Sequence, residues 1–197
     1  MKRVSSVVEK LVAEVKATKP RRLLAFVVDK TIRLAGPLVS SKLRIFRYDL
    51  AAPRPPWPKD FTLIRFSPAM DVPAELAAEV SALGLQDQFV ENFAQGADLW
   101  LGLMNGKLAV SLWTIKREKL PQWHVQIKAN DVVLYSVVTQ PSFRGQGLTG
   151  AAAAEIWQRI GDADSRFYVD CKIWNRSAQQ AFTKAGFKYV LTAPPHG

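Results

Sequence analysis

The stretch VVLYSVVTQPSFRGQGLT, residues 132–149, decides how the rest of the chain is read. Its first eight residues are β-branched, aromatic or otherwise apolar almost throughout and predict a buried strand. Pro141 ends that strand, and Gly145 and Gly147 mark a tight turn before a helix opening near Leu148. At such a junction the first amides of the helix lack intrahelical acceptors and point outward together. The helix dipole adds positive potential at the same place, so the turn is a receptor for a phosphate group. The glycines let a ligand approach the backbone, and Arg144 adds a fixed charge. Read alone, the same run also describes a glycine-containing turn with no ligand.

Working outward, the pattern predicts a strand over 61–66, helices over 71–83 and 85–93, and strands over 99–104 and 108–115 around the Asn105-Gly106 turn. Alternation over 123–127 predicts a further strand that forms a second hairpin with 132–139. A helix over 148–160, a strand over 166–173, a helix over 176–184 and a strand over 187–191 complete the order. That order is a mixed α/β domain on one sheet, mostly antiparallel and flanked by helices.

The 197 residues carry a net charge of +10, unevenly placed. Residues 1–50 hold 12 basic side chains against four acids, whereas the remainder is nearly balanced. Val4, Val7, Val8, Leu11, Val12 and Val15 recur at helical spacing, and a second apolar run over 23–39 is interrupted by Asp29, Lys30 and Arg33. Those charges argue against a membrane span and against a secretory signal. The reading is therefore a basic amphipathic helical extension over 1–50, a proline-rich connector over 51–59 (APRPPWPK at its heart) and a domain over 60–197. The extension suits a packing or partner helix first, an anionic membrane surface second and nucleic acid a distant third, because no aromatics interleave with the basics. It also suits a dimer arm. One cysteine, Cys171, fits a reducing, cytoplasmic compartment, at the inner face of a membrane if the extension docks there. His124 and His196 lie far apart and no ligand-spaced cluster exists, so no metal is expected.

Residues 132–149 resemble the acyl-CoA-binding signature of the GNAT acyltransferase superfamily, Arg/Gln-x-x-Gly-x-Gly/Ala, on Arg144, Gly147 and Thr149. A second signature follows in order: Asn175, Ala178, Phe182, Lys184, Gly186 and Phe187 match Asn-x-x-Ala/Ser-x-x-x-Tyr-x-Lys-x-Gly-Phe. The resemblance covers about residues 60–192. It implies a GNAT-like fold and transfer of an acyl group, acetyl above all, from coenzyme A to a primary amine of a small molecule. GNAT-like proteins with a comparable extension in bacterial surface-polysaccharide pathways make an amino sugar the first acceptor to consider.

The resemblance also implies roles. Val138 and Thr139 would pair with the pantetheine arm, the Val138 amide would stabilise the oxyanion, and Arg144, Gly145, Gln146, Gly147, Leu148 and Thr149 would hold the diphosphate. Asn175 and Phe182 would lie against the cofactor arm. The chain departs from the pattern at Thr149, where a small residue is usual, and at Phe182, where many relatives place a tyrosine that protonates the thiolate. Water, or a hydroxyl such as that of Tyr135 or Tyr168, would then substitute. Asp131 matches a position where some relatives carry a carboxylate base, and it is equally a turn residue beside Asn130. Glu118 and His124 are weaker candidates for that base. Asn175 is also a good helix N-cap, and Ala178, Ala181, Phe182 and Ala185 form a helical face that would pack on the sheet. A CoA-binding module without turnover, docked through the basic extension, is the alternative reading.

Overall fold

The computed structural model describes residues 42–68, 70–82, 86–120 and 123–194. In chain order they form β1 (Leu43–Tyr48), β2 (Phe61–Phe66), α1 (Ala74–Val80), α2 (Gln86–Ala94), β3 (Asp98–Met104), β4 (Lys107–Lys116), β5 (Val132–Thr139), α3 (Leu148–Ile160), β6 (Phe167–Lys172), α4 (Arg176–Lys184) and β7 (Phe187–Ala193). The strands make one seven-stranded sheet in the order β2-β3-β4-β5-β6-β1-β7. Every neighbour pair is antiparallel except β5 and β6. The mixed, mostly antiparallel sheet expected from the sequence is what forms.

β4 carries eight consecutive buried residues between Lys107 and Lys116, as a strand covered on both faces must. Asn105 and Gly106, at φ 51° and 76°, close its hairpin with β3 in the left-handed conformation that this turn demands. One face of the sheet is covered by α3 and α4, whose Leu148, Ala152, Ile156, Trp157 and Phe182 pack with Val110, Leu112, Val132 and Leu134. The other face holds Val80 of α1 and Phe89 and Phe93 of α2 against Leu99, Leu101, Trp113 and Val133. Phe89 and Phe93 meet the Trp113 ring edge-on at 5.7 and 5.0 Å, contacts worth about 0.5–1.5 kcal/mol each beyond their burial.

Two expectations are overturned. The helical extension does not reach residue 50, because Leu43–Tyr48 is a strand lying between β6 and β7. Leu43, Ile45, Phe46 and Tyr48 are buried while Arg44 and Arg47 are exposed, so the arginines that made the segment look like part of the basic extension belong to a core strand. The domain therefore starts on the N-terminal side of the proline-rich connector. Nor do residues 123–127 make a strand. Their alternation arises because Trp123 and Ile127 cross the sheet face, packing both against the Trp113 cluster and, with Val125, against Ile45 and Tyr168. The helices expected over 4–15 and 23–39 lie outside the described residues. Among the described residues no helix is long and apolar enough to cross a membrane.

Candidate acyl-donor site

β5 is regular as far as Tyr135 and irregular after it. Trp113 pairs with Tyr135 but Ser111 pairs with Val138, so β5 holds one residue too many between those pairs. Ser136 takes up the excess at φ 46°, a conformation that costs a non-glycine residue about 1 kcal/mol or more. A bulge bends its strand, and this one turns β5 away from β6. The parallel ladder stops at Leu134 and Val169, although β6 continues to Lys172. A wedge therefore opens between residues 135–139 and 170–172, with one backbone edge of β5 facing into it.

Which amides face that wedge follows from alternation along the strand. The Gln140 amide donates to the Ala109 carbonyl at 2.9 Å, which directs Gln140, and two residues earlier Val138, toward β4. The amides of Val137 and Thr139 then face the open side. The expectation that Val138 supplies the oxyanion donor is thus corrected: its amide belongs to the β4 ladder, and a bulge that no local pattern announces shifted the register by one. The Thr139 carbonyl on the open side accepts from Arg144 Nε at 3.2 Å, which fixes Arg144 against the strand end.

Beyond β5 a short 3-10 turn, Pro141–Phe143, leads to Gly145 and Gly147 at φ 77° and 79°. Two left-handed residues around Gln146 turn successive amides the same way. The amides of Gly145, Gln146, Gly147, Leu148, Thr149 and Gly150 have no protein acceptor among the described residues; the first bond of α3 runs from the Ala151 amide to the Gly147 carbonyl at 3.1 Å. Gly145, Gln146 and Gly147 are exposed, and a methyl group built on Gly147 would meet nothing within 4 Å. This is an open cradle of hydrogen-bond donors at a helix N-terminus, of the size and polarity that a diphosphate needs. Thr149 tightens it, since its hydroxyl lies 2.8 Å from that of Thr139. On the far side, a methyl group built on Gly150 would lie 3.1 Å from the Ala185 methyl, so α3 is seated closely on the end of α4.

Other sequence candidates fall differently. Asn175 caps α4, its Oδ1 accepting from the Ala178 amide at 3.1 Å; its amino group has no acceptor among the described residues and lies at the wedge end of β6. Phe182 does not line the site. It is 3% exposed and packed against Phe46 and Phe187, so helical periodicity, and not a ligand, accounts for it. Asp131 is a structural carboxylate. It is buried, with Oδ2 accepting from the Lys128 amide at 2.9 Å and Oδ1 from the Arg166 amide at 2.8 Å, which ties the starts of β5 and β6 together at the end remote from the cradle. Tyr135, whose side chain shares a face with Trp113 and Val133, has a buried hydroxyl without a partner among the described residues, and burial pushes its pKa well above the usual tyrosine value. It stays protonated, a donor without an acceptor. Trp174, beside Asn175, likewise buries an indole N–H with no partner among the described residues. Sequence reasoning missed it; its place immediately before the Asn175 signature was the available signal. A cleft of about 290 Å³ lined by Arg65, Asp98, Thr114 and Lys116 lies at the opposite end of the sheet and includes none of the cradle residues.

Comparison with known proteins agrees with this geometry. Residues 113–193 match the family model described as FR47-like protein. The fold is that of the GNAT acetyltransferases. It superposes on an acetyltransferase of the GNAT family from Colwellia psychrerythraea with a TM-score of 0.55 at 14% identity, over 77% of this chain and 53% of that one. A tandem GNAT protein from the clavulanic acid biosynthesis pathway gives 0.53 at 15%, over 82% and 55%. A GNAT-family protein from Novosphingobium aromaticivorans gives 0.52 at 16%, over 77% and 60%. At these identities the likeness is one of fold, and the chain spans little more than half the length of the proteins it resembles. No curated protein matches it in sequence.

Proposed function

We propose that this chain is an acyl-CoA-dependent N-acyltransferase, acetyl-CoA being the first donor to test. The observation that carries the reading is the set of six consecutive amides, Gly145 to Gly150, left without acceptors among the described residues, in a turn at the end of a splayed strand whose Gly145, Gln146 and Gly147 are exposed. Folded proteins rarely leave so many backbone donors unmatched unless water or a ligand takes them. The residues fit an acyl-CoA: the cradle suits the diphosphate, and the Val137 and Thr139 amides, with the Asn175 amino group, suit the amide-bearing pantetheine arm.

The thioester carbonyl would then lie in the wedge beside Ser136 and Val137, where a backbone amide supports the charge that gathers on oxygen as an amine attacks. Loss of one such donor typically slows a reaction about 10²–10³-fold. The departing sulfur meets no hydroxyl at Phe182; the neutral Tyr135 hydroxyl, one residue before the bulge, is proposed as its donor. The acceptor is proposed as a primary amine of a small molecule, an amino sugar being the first class to screen.

Titration calorimetry with CoA and acetyl-CoA, followed by a free-thiol assay across amines and amino sugars, tests the reading. Binding in the micromolar range with amine-dependent thiol release supports it. Absence of binding at millimolar CoA would remove it.

A further inference from the structure

The cleft at the end of the sheet away from the cradle has a construction of its own. It lies where β2 and β4 finish and β3 and β5 begin, with Asp98 standing opposite Thr114 and Lys116 opposite Val132. Three cations line its 290 Å³, Arg65, Lys116 and Lys119, against one acid, Asp98. Two of the three are held in place. Arg65 Nη2 bonds Asp98 Oδ2 at 2.8 Å, and its guanidinium lies over the Trp100 ring, 5.5 Å from the centroid. Lys119 Nζ donates to the Gly96 carbonyl at 3.2 Å; a methyl built on Gly96 would stand 2.7 Å from that nitrogen, so the glycine makes room for it. Lys116 makes no hydrogen bond or ion pair among the described residues. Between them, Trp100 Nε1 donates to Thr114 Oγ1 at 2.9 Å, which leaves the threonine proton for another acceptor. Pro68, Val132 and Ile160 give the cleft an apolar side.

We propose that this cleft binds a small organic oxyanion, a phosphate or carboxylate carried on a short apolar body, at a site independent of the acyl-donor reading. The lining supplies donors in excess. A guanidinium has five N–H groups, of which Asp98 occupies one, so Arg65 can still offer the others beside the Lys116 ammonium and the Thr114 hydroxyl. Because Arg65 and Lys119 are already fastened, little freedom is lost when an anion arrives. Asp162, whose charge also feels Lys116, is committed elsewhere: its Oδ1 accepts from the amides of Asp164 and Ser165 at 3.0 and 2.7 Å. The volume limits the occupant to a small molecule, since ligand sites start at about 300 Å³. β5 runs from Val132 at the cleft to Thr139 at the cradle, and at ~3.3 Å per residue the two sites are about 20 Å apart. Both can be filled at once.

The test uses the full chain with three probes of one shape: phenyl phosphate, benzoate and neutral benzyl alcohol. Calorimetry is expected to show saturable binding of at least one anion with a Kd of about 1 mM or tighter, and the tighter of the two names the head group. Lys116 is exposed, so K116E leaves the core alone; it is expected to weaken that anion about tenfold or more. K128E serves as the control, because Lys128 lines a separate hollow with Arg166 and Tyr168. Its effect is expected to stay within about threefold at 0.15 M salt. Saturating CoA is expected to leave anion binding unchanged. No saturable binding of either anion, benzyl alcohol binding as tightly as the anions, or equal losses in K116E and K128E would each overturn the proposal. Displacement of the anion by CoA would also overturn it, by placing the probe in the cradle. Each of these results leaves the acyltransferase reading where it stood, and a chain that binds no CoA leaves the cleft untouched.

Discussion

The hydroxyls of Thr139 and Thr149 meet at 2.8 Å, so the last residue of β5 is fastened to the first turn of α3. The turn between them is closed like a loop on a clasp, and its amides are held in place before any ligand arrives. Arg144, bonded to the Thr139 carbonyl, reinforces the same point.

Removing the clasp separates scaffold from contact. Thr149→Ala keeps the amide and loses the hydroxyl, and a hydrogen bond of this kind contributes about 0.5–1.5 kcal/mol. A small fall in melting temperature is expected, with CoA affinity within about threefold by calorimetry. A loss beyond tenfold would show that the hydroxyl itself touches the ligand.

Gly147 has room for a methyl group but the wrong backbone for one. At φ 79° an alanine is strained by about 1–2 kcal/mol. Gly147→Ala is expected to re-aim the neighbouring amides and weaken CoA binding at least tenfold, while the circular dichroism of the fold is unchanged. Unaltered affinity would mean that the cradle is not the binding site.

Tyr135 bears a hydroxyl that no described residue satisfies. Tyr135→Phe keeps the ring in its cluster and removes an unmatched donor, so thermal stability should hold or rise. If that hydroxyl serves the departing thiolate, turnover falls by about 10²-fold or more. A variant that is as active as the parent assigns the hydroxyl no chemistry.

Asp131→Ala should unfold more readily without altering the chemistry of the molecules that remain folded. It takes the carboxylate acceptor from two half-buried bonds, those of the Lys128 and Arg166 amides, and bonds to a charged acceptor are worth about 1.5–3 kcal/mol each. A shift of several degrees in melting temperature with kcat per folded molecule unchanged is expected; a collapse of kcat in a well-folded variant would return Asp131 to the active site.

Cys171 is buried and its thiol is pushed up to about 12, by desolvation first and by Asp170 second. The native chain should therefore resist thiol reagents at pH 8 and react once unfolded, which keeps it silent in a free-thiol assay. Because the folded thiol holds its proton above pH 9 where the unfolded one loses it, the unfolded state binds fewer protons there and stability falls as pH rises from about 9 toward 12. Rapid native labelling would contradict this burial.

The cradle was legible because its signals are local: two glycines, an arginine and a strand-to-helix switch within a dozen residues. The pairing of His124 with Asp170 was not, because the two come from separate segments and only the crossing of 123–127 over the sheet brings them together. Val138 was misassigned for the opposite reason. Its neighbourhood was right, but a bulge at Ser136 changes which amides face outward, and serine carries no strong preference for that conformation. β1 was hidden by its own arginines, since two exposed charges in six residues looked like more of the basic segment before them.

That same strand dictates the order in which the molecule can be assembled. Leu43 is paired on one side with Lys172 and on the other with Ala193, so an early-made strand waits for the last-made one. During synthesis its apolar residues have no partner until nearly the whole chain has left the ribosome, a situation in which aggregation competes with folding. A chain begun after the connector would lack the middle rung altogether, leaving β6 and β7 as two raw edges where one continuous sheet should run.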